Sequence, residues 1–126
     1  MEVQYIDYFS SKKPVPEGYI DLSIAKGTPP WWKSSGKWNG TNKCDVFAPE
    51  WYLVEGFRIG NISEDEYTRL YIEDLYQRQD ALNAIVEAIK DGGKFVFKCH
   101  CSKGKFCHRY IVKQFLEQFG IEVREL

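Results

Sequence analysis

KFVFKCHCSKGKFCHRYIVKQFLEQFG, residues 94–120, decides the fold. It reads as strand, loop and helix. The run FVFK at 95–98 follows Asp91-Gly92-Gly93, a turn signal ahead of a strand. Ile111, Val112, Phe115, Leu116 and Phe119 recur at helical spacing, and Gly120 stands where a helix-ending glycine belongs. Between them lie Cys99, Cys101 and Cys107, both histidines of the chain (His100 and His108), and Arg109. In an open α/β sheet, the crevice where a strand ends and a helix begins is where ligands bind. A helix start also offers unpaired N–H groups and the positive end of a dipole.

Working outward, VQYIDYF at 3–9 and YIDLSIA at 19–25 alternate and are rich in aromatic and β-branched residues, so both read as strands. Pro14, Pro16 and Gly18 make the loop between them. KGTPPWWKSSGKWNGTN at 26–42 holds three of the four tryptophans and has no period. A loop that long is usually functional or disordered, and its tryptophans argue against disorder. Pro49 is expected in a first helical turn, with Trp51, Val54 and Phe57 facing inward. Ser63 with Glu66 forms a capping box for a helix striped with Tyr67, Leu70, Tyr71 and Leu75. Another helix, from about residue 80 to 90, carries Leu82, Ile85, Val86 and Ile89. IEVREL at 121–126 closes as a strand.

This order predicts one α/β domain over residues 1–126. The expected form is small and three-layer-like, with a mainly parallel sheet of about four strands and helices packed on it. The 95–98 strand should be central, because it is the most apolar, and the Ile111/Phe115 face should pack on the sheet.

The formal net charge of -1 gives no global pull toward nucleic acid or membrane. Its distribution is uneven. Residues 94–126 carry seven Lys/Arg against three Glu, whereas residues 61–93 carry eight acids against three bases. The loop of interest thus lies on the basic side, unless these are simply two solvated helix faces. No apolar run approaches a membrane span. MEVQYIDYFSS lacks the basic and apolar segments of a secretory signal. A cytoplasmic location is therefore expected, with the four cysteines as thiols or ligands rather than disulfides.

Cys107, at the expected helix start, would be a low-pKa nucleophile if Arg109 or a protonated His108 stabilised its thiolate; otherwise it is a small buried apolar group. His108 would then serve as acid–base and Arg109 as phosphate clamp. Basic side chains in a first helical turn oppose the dipole, which makes sense if an anion is held there; the bland alternative is a surface arginine paired with an acid. No cofactor is expected. Zinc is the alternative, on Cys99, Cys101, Cys107 and His108, although C-x-C-x5-C-H lacks the spacing of common structural sites. His100-Cys101 with its glycine loop is similar to the phosphate loop of tyrosine phosphatases, but six residues after Cys101 stands Cys107, not arginine, so the register rejects it.

Trp31, Trp32 and Trp38, with Lys26, Lys33 and Lys37, could stack bases and meet phosphates, or fold back as a lid that lines a pocket. Ser10, Ser11 and Lys12 would lie at the same sheet edge. Cys99, Cys101, Ser10, Lys12, Lys26, Trp31 and Trp32 are the ligand-binding candidates.

Taken together, Tyr-Phe at 8–9, Ser-Ile-Ala-Lys at 23–26, Pro-Pro-Trp-Trp at 29–32, Phe-Ala-Pro-Glu-Trp at 47–51, Ser63-x-x-Glu-Tyr-Thr-x-x-Tyr71, and Cys99 followed by Phe-Cys-His-Arg at 106–109 resemble domain-of-unknown-function family 488. These are small prokaryotic and viral proteins. The resemblance implies a compact α/β domain with a pocket near Cys99, Cys107, His108 and Arg109, and implies little about activity. Two departures stand out. The family often has an acid two places after the first cysteine, where this chain has Cys101. One branch has an arginine-rich segment after an early strand, where this chain offers lysines. The expected function is binding of an anion or nucleotide at the strand-to-helix turn, with thiol-dependent processing of a nucleotide or nucleic acid base. The alternatives are a non-catalytic binder that sequesters a nucleotide or nucleic acid, and a zinc-stabilised protein-interaction module.

Overall fold

Residues 95–99 lie inside a sheet of four strands, all parallel, in a computed structural model that describes residues 2–33, 42–101 and 104–126. The strands are β1 (Gln4–Tyr8), β2 (Ile20–Ser23), β3 (Phe95–Cys99) and β4 (Val123–Glu125), in spatial order β2-β3-β1-β4. The helices are α1 (Pro30–Lys33), α2 (Trp51–Arg58), α3 (Glu64–Tyr76), α4 (Gln79–Lys90) and α5 (His108–Glu117). This is the small α/β domain that the sequence predicts, with its sheet wholly parallel. Lys37 and Trp38 lie outside the described residues.

Register explains the core. Ile6 and Leu22 both pair with Phe97, so the three share one face and are buried with Cys99. Onto that face pack Tyr71 and Leu75 of α3, Leu82, Val86 and Ile89 of α4, and Ile111, Val112, Phe115 and Leu116 of α5. Burying each such side chain contributes about 1.5–3 kcal/mol. The fully buried Gln4 clamps the start of β3: its amide donates to Gly93 O (2.9 Å) and accepts from Phe95 N (2.8 Å). After α5, Gly120 at φ +77 turns the chain back toward β4 in the left-handed conformation that disfavours side chains.

Two local expectations change. Pro49 stands before the N-cap Glu50, so it precedes the helix instead of opening it. Of the 51/54/57 stripe of α2, only Phe57 packs against the core. Leu53 is the helix's buried residue, whereas Trp51 is 56 % exposed and Val54 and Phe57 are half-buried.

The connections define a crevice at one end of the sheet. From β1 the chain goes to β2, on the far side of β3; from β3 it goes through α5 to β4, on the far side of β1. Neighbouring strands β1 and β3 thus send their connections in opposite directions. The gap beyond their C-terminal ends is the topological switch point of the sheet, the usual ligand crevice of such folds; the pocket described below lies beside it, lined from the ends of β2 and β3 and by no residue that directly follows β1.

Candidate active site at the end of β3

β3 ends on Cys99 and α5 is N-capped by Cys107, whose own side chain makes no capping bond. Both sulfurs are buried and meet in a disulfide-like contact, although free thiols are the sequence expectation. The cause is positional: the loop leaves the sheet and returns to the same point. The Cα atoms are 7.6 Å apart, beyond the roughly 7 Å at which a bridge demands backbone movement.

His108 is also buried. Its Nε2 lies 2.6 Å from Ile24 O, and since a carbonyl only accepts, Nε2 carries the proton. Nδ1 therefore keeps its lone pair, 3.8 Å from Cys107 Sγ. Burial, more than the nearby Arg109 and His100, holds this imidazole down to about pKa 4 against the pull of the Ile24 carbonyl. The protonated His108 that was to stabilise a Cys107 thiolate is thus overturned: the ring is neutral at neutral pH.

Arg109 turns elsewhere. Successive helical residues diverge by about 100°, and Arg109 is fully buried behind the loop. Its guanidinium donates to Cys99 Sγ (3.1 Å), to the Cys101 carbonyl and to Tyr110 Oη (3.0 Å). It lies 3.6 Å from the Glu125 carboxylate and over the rings of Tyr8 and Tyr110. It fastens the 99–107 loop to β1 and β4 and does not line the pocket beside Cys107.

That pocket holds about 400 Å³, within the range of small-molecule sites. One wall is Trp51, Val54, Phe57 and Arg58 of α2, with Tyr67 of α3. Ala25, Lys26 and Gly27 after β2 also line it. His100, Cys101, Phe106, Cys107 and His108 form another side. Phe57, Tyr67 and Phe106 contact one another edge-on or tilted, at 5.0–5.7 Å between ring centres. Burial, and secondarily Cys101, pushes the Tyr67 hydroxyl pKa up. His100 is anchored by Nε2 to Gly27 O and touches Phe9.

Of the ligand-binding candidates, Lys26 and Cys101 line this pocket, and Cys99 sits behind Cys107. Ser10, Lys12, Trp31 and Trp32 are not among its lining residues. Trp32 folds back onto Phe9 and Ala25 as a small second core, while Trp31 is 55 % exposed. The zinc alternative keeps three of its four residues: ligating atoms of Cys99, Cys107 and His108 all lie within 4.8 Å of one another, without Cys101. Cys44 is a buried thiol pushed up to about 12 by that burial, and therefore inert near neutrality.

Sequence reading misses Trp51, Val54, Phe57, Arg58, Tyr67 and Phe106. A signal was available. An apolar stripe spaced 51/54/57 on an eight-residue helix that also offers Leu53 is broader than one core contact requires, and the surplus faces the pocket.

Residues 36–120, about two thirds of the chain, match the family model DUF488-N3a, described as the active DUF488-N3 subclade. No curated protein and no solved structure matches the chain. The matched span includes α2, α3 and the whole β3–α5 unit, hence most of the pocket. On that match, the chain belongs to the DUF488 family.

Proposed function

We propose that this pocket binds a phosphorylated nucleoside, free or within a nucleic acid, and that chemistry on it depends on the Cys107 sulfur. The observation that carries the reading is the pocket's composition. Trp51, Phe57, Tyr67 and Phe106 supply flat aromatic surfaces suited to a base. Lys26 and Arg58 supply cations among apolar walls, where a phosphate would be met. Arg58 is now paired with Glu55 (2.7 Å) at an exposed position and can exchange that partner at small cost. The floor is Cys107 with the unprotonated Nδ1 of His108 beside it. A non-catalytic binder is the second reading, favoured by Arg109: its guanidinium is committed to the protein, which removes the expected phosphate clamp from the reacting end.

The test is thermal unfolding of the reduced chain against nucleoside phosphates, nucleosides and inorganic phosphate. A nucleoside phosphate at 100 times its Kd should add about 2.7 kcal/mol of stability, the bare nucleoside less, and Phe57→Ala should abolish the shift. A flat response to the whole panel removes the proposal. If binding is found, product analysis with and without alkylation of Cys107 separates the two readings.

A further inference from the structure

We infer that, with its thiols reduced, the cluster of Cys99, Cys107 and His108 is a three-ligand site for a soft divalent cation of the zinc class, its fourth position open to the pocket. Two thiolates and an imidazole are a donor set that zinc favours, and three protein ligands with one open position is the pattern of reactive zinc sites. The three ligating atoms already lie within 4.8 Å of one another.

Four further features fit an ion between these groups. The 7.6 Å between Cα atoms suits two sulfurs converging on a shared ion better than a direct bridge. His108 presents Nδ1 because Nε2–H is tied to Ile24 O at 2.6 Å; a backbone carbonyl fixing the far nitrogen is the usual second partner of a metal-bound histidine. Arg109 donates to Cys99 Sγ at 3.1 Å, offsetting the charge of two thiolates on one ion. Finally, Cys107 and His108 line the pocket while Cys99 is fully buried, so the side left uncovered faces the ligand space. Binding releases both thiol protons to solvent. The thiol dependence proposed above then arises because Cys107 holds the ion; only the role of the fourth position rests on that reading, and the three-ligand site stands without it.

The experiment is titration of the reduced full chain with Co²⁺ and Zn²⁺. One ion should bind per chain, with a thiolate-to-cobalt charge-transfer band and the intense visible bands of tetrahedral cobalt. Zn²⁺ should displace the cobalt. Cys99→Ser, Cys107→Ser and His108→Gln should each lose or change the band, whereas Cys44→Ser and Cys101→Ser should keep it. Arg109→Met should weaken binding about 10–100-fold. Should the ligand variants fail to fold, bound Zn²⁺ in the unaltered chain should shield Cys99 and Cys107 from alkylation and leave Cys101 reactive. Absence of a cobalt band, equal alkylation with and without zinc, or a band lost in Cys101→Ser overturns the site. Nucleoside phosphates tested on metal-free protein report on the pocket separately. A cobalt spectrum that those ligands do not perturb, while they do raise the melting temperature, overturns the open fourth position.

Discussion

Lys98 and Cys99 are neighbours at the end of β3, yet they leave it on opposite faces. Both are fully buried. Cys99 enters the helix-covered core, where a buried guanidinium and a second sulfur meet it. Lys98 enters the other face, where Asp21 lies 3.4 Å away and Asp7 is its partner in register on β1. The Asp7 carboxylate oxygens have no hydrogen-bond partner among the described residues. One face thus buries groups that can be neutral, thiols and an imidazole, beside the Arg109 guanidinium that Cys99 Sγ, the Cys101 carbonyl, Tyr110 and Glu125 surround. The other buries a charge that needs opposite charges close by. The difference teaches where chemistry can be placed: the thiols and the imidazole have a neutral form that burial favours, whereas Lys98 keeps its charge only with opposite charges beside it.

Removing the cation should have the largest effect. Lys98→Met removes the cation that lies 3.4 Å from the Asp21 carboxylate and in register with Asp7, and breaking a buried pair costs about 3–5 kcal/mol. The urea midpoint should fall accordingly with the slope unchanged. Lys98→Met combined with Asp7→Asn and Asp21→Asn should recover part of the loss. A cost below about 1 kcal/mol would mean that water reaches the pair as it does on a surface, and the contrast between the faces would vanish.

The thiol face should instead respond to acid. In metal-free protein, burial holds the folded His108 imidazole down to about pKa 4, against 6.5 for an ordinary histidine. Because the folded value is the lower, its stabilising contribution is fully present above pH 6.5. It is lost as pH falls toward 4, since the unfolded chain then binds the proton first. The full loss is about 3 kcal/mol. His108→Gln should flatten the unfolding free energy between pH 6.5 and 4; an unchanged slope would assign the acid sensitivity to carboxylates.

The same pair of residues shows what could be read from the sequence. Periodicity and turn signals give the four strands, helices α2 to α5 and the central place of β3, because Phe97, Ile111 and Phe115 repeat as their elements require; the four-residue α1 lies in a segment that reads as loop. The same signals bring Cys99, Cys107 and His108 together, since a strand-loop-helix unit forces its ends to one point. They do not separate Arg109 from that group. Adjacency in sequence looks like adjacency in a site, but one helical step rotates a side chain by about 100°, and Arg109 turns to its own neighbour Tyr110 and to Glu125 of β4, a strand whose approach is set only by the assembled sheet. Lys98 is silent in the sequence for a related reason. Its neighbours are apolar, and nothing local announces that Asp21 and Asp7, 77 and 91 positions away, will face it. The pocket wall on α2 reads as core in the sequence because an apolar stripe is the same signal whether a sheet or a ligand covers it, and Phe57 serves both.

The smallest effect tests whether the comparison is about β3 or about any ordered polar group. Ser63 caps α3 by accepting from Glu66 N at 3.1 Å, at an exposed position remote in kind from both buried clusters. Ser63→Ala leaves an N–H that water can reach, so it should cost about 1 kcal/mol. The loss should be the same at pH 4 and pH 7, and the same in the Lys98→Met background, since separate sites add. If the cap instead couples to either cluster by more than about 0.5 kcal/mol, then Tyr67 and Tyr71 of α3 transmit changes from helix start to pocket, and the two faces of β3 are not energetically separate territories.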